Sequence, residues 1–140
     1  MTDSLFNLER FTRAQDPIYK NVLSELRSGR KRTHWMWFVF PQIAGLGRSP
    51  TAKKYAISGR EEADAYLNHP LLGERLRECT ELVLAVEGRT INEIFGSPDD
   101  LKFRSCMTLF ANVAADSQVF KDALLKYFNG DPDPLTVDRL

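Results

Sequence analysis

The chain has 140 residues, in which 19 Lys and Arg balance 19 Asp and Glu, with 43% hydrophobic and 27% charged residues. This composition is typical of one globular domain and excludes wholesale disorder, while the zero net charge argues against a dedicated nucleic-acid binder. The first residues lack the basic and apolar segments of a secretory signal, and no apolar run reaches the length of a membrane span. We therefore expect a cytoplasmic protein that does not associate with membranes.

Two helices are predicted at the start of the chain. Asp3 is a candidate cap for a helix that ends near Gln15, and Pro17 opens a second helix that ends at Gly29. In both segments the apolar residues recur at intervals of three or four, which is typical of one buried helix face.

The aromatic run from Trp35 to Phe40 has the composition of either a buried strand or a short helix. Thr33 is a candidate cap and Pro41 a candidate stop, and these two residues favour the short helix.

Later helices have clearer start signals. Ser49 followed by a proline predicts one helix, and capping-box patterns that begin at Ser58 and Thr90 predict two more. Pro70, Pro98 and Asp116 mark the starts of three long helices with apolar faces.

No segment has the strict alternation of a half-buried strand. The fold class that we predict is all-α, a single compact orthogonal bundle of about seven to nine helices. The helical domain is expected to span residues 1–130, followed by a short, partly extended tail over 131–140.

The zero net charge conceals an uneven distribution. Residues 27–60 contain eight Lys and Arg and no Asp or Glu, which leaves 11 basic and 19 acidic residues elsewhere. The same stretch holds both Trp residues, one of the two His and four of the eight Gly. A charged stretch is often only a solvated face, but this one also predicts a site for an anionic partner.

The aromatic run could carry chemistry. Trp35 and Trp37 either fill the core or form a stacking wall for a planar ring such as a nucleobase. His34 titrates near neutrality and is a candidate acid or base, although a histidine beside Trp is more often structural. Two histidines without metal-ligand spacing predict no metal site, and we expect no cofactor.

The loop after the aromatic run combines two glycines with a helix start. Gly45 and Gly47 allow close approach of the backbone, Arg48 adds a positive charge, and Ser49 begins a helix. An anion at this point would meet the N–H groups of the helix start and the guanidinium. A tight turn with Ser49 as its cap is the other interpretation.

A polar row follows Pro98. Asp99, Lys102 and Ser105 are spaced three residues apart and share a helix face, while Phe103 and Phe110 mark a face that must be buried. The row is either a solvated surface or the border of a cleft, and Asp99 is a second candidate base.

Three segments resemble the family called domain of unknown function 1810, which comprises small helical bacterial proteins, some labelled calpastatin. The similarity rests on GRKRTHWMWFVFPQIAGLGRSP, YLNHPLLGERL and IFGSPDDLKFRSCMTLF, and it extends from about residue 11 to 130. It implies an all-helical domain with no established activity. The motif positions implied by the resemblance are Lys31, His34, Trp35, Trp37, Phe40, Pro41, Gln42, Gly45, Gly47, Ser49, Tyr55, Lys102 and Ser105.

Three functions remain open from the sequence. The first is binding of a phosphorylated or otherwise anionic, nucleotide-like small molecule. The second is a hydrolase or transferase on such a ligand, with N-glycosidases as an analogy and His34 or Asp99 as the base. The third is an interaction module for RNA or an acidic protein. We rank it last, because the zero net charge makes nucleic acid an unlikely partner. The predicted ligand-binding residues are Lys31, Trp35, Trp37, Gln42, Gly45, Gly47, Arg48, Ser49, Lys102 and Ser105.

Overall fold

The computed structural model describes residues 5–140, so the predicted cap at Asp3 lies outside the described residues. Within this range the chain forms ten helices and no strand, which confirms the all-α prediction and exceeds the predicted number by one. The helices are α1 (Glu9–Gln15), α2 (Tyr19–Arg27), α3 (Met36–Val39), α4 (Pro50–Lys54), α5 (Arg60–Asn68), α6 (Leu72–Ala85), α7 (Ile91–Phe95), α8 (Asp99–Val113), α9 (Gln118–Phe128) and α10 (Pro134–Asp138).

Two helices begin at the caps that the sequence predicts. The Ser49 side chain accepts a hydrogen bond of 3.1 Å from the Ala52 N–H at the start of α4. At α7, Thr90 accepts from the Glu93 N–H while the Glu93 carboxylate accepts from the Thr90 N–H, which completes a capping box.

The capping box predicted at Ser58 is wrong. The N-cap of α5 is Gly59, and the Ser58 N–H donates instead to the Glu62 carboxylate at 2.9 Å. Glu62 is only 3% exposed and pairs with Arg10 of α1 at 2.7 Å. The N-cap thus lies one residue later than predicted, because the Glu62 carboxylate that accepts from the Ser58 N–H is held in place by the ion pair with Arg10.

Helix α8 lies at the centre of the packing. It contacts α5, α7, α9 and α10, while α6 packs on α2, α5 and α9. The fully buried aromatic side chains include Trp35, Phe40, Phe103 and Phe110, and each contributes about 2–3 kcal/mol by leaving water. No helix within residues 5–140 combines the length and apolarity that a bilayer crossing requires.

The C-terminal residues pack onto α8. The sequence predicts a partly extended tail over 131–140, whereas the structure has the short helix α10 there. Thr136 is fully buried, and the Arg104 guanidinium donates to the carbonyls of Asp131 and Pro132 at 3.0 and 2.9 Å. These contacts bring residues 131–135 alongside the central helix.

A single parallel bridge joins the loop after α3 to the segment before α5. The Ile57 N–H donates to the Gln42 carbonyl at 2.8 Å, and its carbonyl accepts from the Ala44 N–H at 2.7 Å. Ile43 and Ile57 are both buried. This anchor positions the 42–47 loop against the side of α8.

Candidate functional site

Trp35 is a core residue. Its side chain is 1% exposed and contacts the rings of Phe40 and Phe95, with centroid separations of 6.2 and 6.4 Å. The indole N–H donates to the Glu25 carboxylate at 3.1 Å. A stacking role for Trp35 would need an open ring face, and burial leaves none.

Glu25 of α2 organises the loop that leads to Trp35. This carboxylate is 8% exposed, and it accepts hydrogen bonds from the Arg32 and Thr33 N–H groups and from the Thr33 hydroxyl. Burial acts to raise the pKa of Glu25, but these donors and the Trp35 indole together outweigh it and hold the pKa below its ordinary value. Glu25 is therefore a buried anion that fixes the course of residues 31–35, and no pattern in the sequence marked it.

Two of the predicted binding residues share one carboxylate. The Lys31 ammonium lies 2.8 Å from Asp99 Oδ2, and the Lys102 ammonium lies 3.6 Å from Asp99 Oδ1. The side chain of Lys31 is 7% exposed and that of Lys102 is 23% exposed. One carboxylate thus faces two ammonium groups, and the cluster carries a net positive charge.

Each lysine of this cluster also lies over a tryptophan. Lys31 Nζ is 5.2 Å from the Trp35 ring centroid, and Lys102 Nζ is 4.7 Å from the Trp37 ring centroid. Both distances are within the range of cation–π contacts. Trp37, unlike Trp35, is only partly buried, so the structure places it and Lys102 together at the surface.

An open cleft of about 330 Å³ runs beside Lys102. Three segments line it: the start of α8, the 42–47 loop and the residues around the start of α10. The lining residues are Gln42, Leu46, Gly47, Pro98, Leu101, Lys102, Arg104, Ser105, Asp133 and Leu135. The sequence predicts four of these, namely Gln42, Gly47, Lys102 and Ser105.

Gln42 and Gly47 connect this cleft to Trp37. Both residues also line a narrow crevice with Trp37 and Tyr55. A Cβ atom on Gly47 would lie 2.5 Å from the Ala52 side chain, so glycine allows the loop to approach α4. The close approach predicted for Gly47 therefore serves packing against α4 and sets the wall of the cleft.

The other loop residues lie elsewhere. Gly45 has φ +98°, and the Arg139 guanidinium packs directly against its α-carbon. Arg48 and Ser49 are exposed and line neither the cleft nor the crevice, and Ser49 serves as the cap of α4. The structure therefore does not bring these three residues to the cleft beside Lys102.

His34 is exposed in the loop before Trp35 and lines neither the cleft nor the crevice. Asp99 engages both of its oxygen atoms with ammonium groups. These positions bring the two candidate bases to different environments, the first in solvent and the second within an ion-pair cluster.

The cysteines and acidic residues form no obvious reactive cluster in the described part of the chain. Cys79 and Cys106 are buried thiols, and burial raises the pKa of Cys79 to about 12. Among residues 5–140, no three His, Cys, Asp or Glu side chains are grouped to hold a metal ion.

Ser105 and the C-terminal segment complete the site. The Ser105 hydroxyl lies 2.9 Å from Asp133 Oδ2 and donates to it, so the two walls of the cleft are joined. Asp133, Leu135 and Arg104 were not predicted as site residues. Asp133 and Leu135 have no signal in the sequence because residues 131–140 are predicted as a tail, and only packing on α8 brings these two residues close to Lys102. Arg104 lies on α8 itself, two residues after Lys102.

Comparison with known proteins gives a family match and a close structural neighbour. The family model described as "Protein of unknown function (DUF1810)" matches residues 5–140. The crystal structure of a conserved hypothetical protein from Mycobacterium tuberculosis has 59% sequence identity and a TM-score of 0.95, with 96% of each chain covered. A search of curated proteins finds no match.

Proposed function

Because the chain belongs to the DUF1810 family of proteins of unknown function, we propose a function from its site: it binds a phosphorylated or otherwise anionic, nucleotide-like small molecule in the cleft beside Lys102. One observation carries this proposal. Asp99 is shared by two lysines, so one positive charge is left over at the edge of an open cleft.

Lys102 is the lysine that meets the ligand. Lys31 is nearly buried and makes the shorter contact with Asp99, whereas Lys102 lies beyond hydrogen-bonding distance of that carboxylate and lines the cleft. Its ammonium group donates no hydrogen bond to another residue within 5–140. Its three N–H groups are therefore available to an anionic oxygen, and such charge-assisted bonds are the strong ones.

Trp37 supplies a surface for a planar group. Trp37 is only partly buried and lies beneath Lys102 beside the cleft; it lines the neighbouring crevice with Gln42 and Gly47, which also line the cleft. A base or another flat ring stacked on an indole gains about 1–3 kcal/mol. Gln42 offers an amide that both donates and accepts hydrogen bonds beside that ring.

The other two functions that the sequence leaves open stay predictions. A general base must reach the proton that it removes, yet Asp99 faces two lysines and His34 lies outside the cleft. The exposed basic residues of 27–60 support an RNA or acidic-protein partner, but a solvated face explains them equally well.

The proposal is tested by measuring ligand-induced thermal stabilisation with inorganic phosphate, sugar phosphates, nucleoside monophosphates and ADP-ribose. A true ligand at 100 times its Kd adds about 2.7 kcal/mol to the free energy of unfolding. In the Lys102→Gln variant, we expect the Kd to rise by about tenfold or more, because a charge-assisted hydrogen bond is lost.

Arg48→Gln is the matched control. It removes the same charge from an exposed residue that does not line the cleft. Equal loss of affinity in both variants would indicate general attraction to a basic surface, and stabilisation by none of the compounds would overturn the proposal.

A further inference from the structure

The cleft beside Lys102 also contains a carboxylate whose position is tightly held. Asp133 Oδ2 accepts hydrogen bonds from the hydroxyls of Ser105 at 2.9 Å and Thr136 at 2.6 Å. The Asp133 N–H donates to the Thr108 hydroxyl at 2.8 Å. Thr108 and Thr136 are fully buried, so these contacts anchor Asp133 to α8 and to the start of α10.

The Asp133 carboxylate can accept further hydrogen bonds. Within residues 5–140 it forms no ion pair with Lys, Arg or His, although Lys102 and Arg104 line the same cleft. Arg104 is instead engaged with the carbonyls of Asp131 and Pro132. Asp133 Oδ1 accepts no hydrogen bond from any residue within 5–140, and the Asp133 side chain lines the cleft without a cation partner.

Apolar side chains line the same cleft. Leu46, Leu101 and Leu135 contribute to it, and the last two are 57% and 62% exposed. Two large leucines at the rim of one opening leave apolar area in water that a ligand would cover. A purely hydrophilic anion, such as inorganic phosphate, leaves that area uncovered.

We propose that the ligand of this cleft is an organic molecule with one anionic group, such as a phosphate, that also carries a protonated amine and an apolar body. Its anionic group binds Lys102, its apolar body covers Leu101 and Leu135, and its ammonium donates to Asp133. This inference rests on the proposed function, since it assigns the remaining features of the same site. It also restricts the ligand class, because Asp133 repels molecules with a second anionic group at that end.

Three probes of increasing complexity test the inference by calorimetry: inorganic phosphate, phenyl phosphate and tyramine phosphate. The second adds a ring to the anion, and the third adds an ammonium group on a short ethyl chain at the far side of the ring. We expect roughly fivefold tighter binding with the ring and roughly tenfold more with the ammonium, as apolar burial and a charge-assisted hydrogen bond are gained.

Two variants separate these gains. Asp133→Asn keeps an oxygen for Ser105 and Thr136 but loses the charge, so it should abolish the advantage of tyramine phosphate over phenyl phosphate. Leu135→Ser changes an exposed side chain and should reduce the advantage of phenyl phosphate over inorganic phosphate. Urea unfolding of both variants checks that the fold is retained.

The outcomes distinguish this inference from the proposed function. If all three probes bind equally and through Lys102, the anion site stands and the amine-bearing ligand is excluded. If tyramine phosphate keeps its advantage in Asp133→Asn, the assignment of the ammonium to Asp133 is wrong. If no probe binds, or if the Lys102→Gln substitution leaves the Kd of the probes unchanged, both the proposed function and this inference are wrong.

Discussion

Trp35 and Trp37 are two residues apart in one aromatic run, yet they lie in opposite environments. The indole of Trp35 is enclosed by other rings and donates to buried Glu25, whereas Trp37 is only partly buried and lies beneath Lys102 in the crevice next to the cleft. Trp35 is the N-cap residue that precedes α3 and has a non-helical backbone, whereas Trp37 lies in the first turn of that helix. The start of α3 thus separates a core residue from a residue at the surface.

The two environments also differ in how their polar groups are satisfied. Around Trp35, the Glu25 carboxylate accepts from a backbone loop, a hydroxyl and the indole. Among the described residues, no buried side-chain nitrogen or oxygen lacks a partner. Around the cleft, Lys102 and Asp133 retain unused donors and an acceptor. The polar groups around Trp35 are therefore all paired within the protein, whereas Lys102 and Asp133 can still form hydrogen bonds with a ligand.

The largest expected effect separates the two tryptophans directly. Trp35→Ala should lower the free energy of unfolding by about 3–5 kcal/mol, because it leaves a cavity among rings and removes one of the hydrogen-bond donors of the buried Glu25 carboxylate. Trp37→Ala should cost only about 1 kcal/mol, since this ring is already partly in water. Urea unfolding measures both values, and equal losses would mean that Trp37 is also a core residue.

Glu25→Gln tests the anchor beneath Trp35 and should cost about 2 kcal/mol at neutral pH, because an amide accepts the loop's donors less well. The folded-state pKa of Glu25 is lowered, so its stabilisation is present above the ordinary value of 4.5 and is lost as the pH falls through the folded value. The difference between wild type and variant should therefore shrink on acidification. Glu81→Gln, at an exposed residue of α6, is the control.

The smallest effect concerns the ion-pair cluster at the cleft. Asp99→Asn should cost about 1 kcal/mol, because nearly buried Lys31 loses its carboxylate, while Lys102→Gln should change stability by less than about 0.5 kcal/mol. Chemical denaturation of the two variants without ligand provides the comparison. A loss in Lys102→Gln as large as that in Asp99→Asn would make Lys102 a structural partner of Asp99 instead of a ligand contact.

Local signals in the sequence account for much of the helical framework. Ser49 and the Thr90–Glu93 box define their helix starts because capping depends on residues within one turn. The same local rule predicts a cap at Ser58 that the structure does not have, because Arg10 of α1 holds the Glu62 carboxylate. Predictions of this kind fail where a contact from another helix competes with the local hydrogen bond.

The site was predictable only in part, for a related reason. Lys102 and Ser105 stood out as a polar row, but their spacing alone did not distinguish a solvated face from the border of a cleft. Arg48 matched an anion-binding pattern and lies away from the cleft, while Asp133 matched no pattern and forms its wall. Which residues face one opening depends on how α8, the 42–47 loop and the C-terminal segment pack.

The amino-acid sequence is sufficient to establish an all-α chain, the helix starts at Ser49 and Thr90 and an excess of positive charge over residues 27–60, because periodicity, capping and composition are local properties. Tertiary packing decided the rest: it buried Trp35 and left Trp37 at the surface, placed one carboxylate between two lysines, and brought Asp133 and Leu135 to the cleft. Burial and charge pairing depend on neighbours that are distant along the chain. For that reason only the folded structure separates the core from the candidate site.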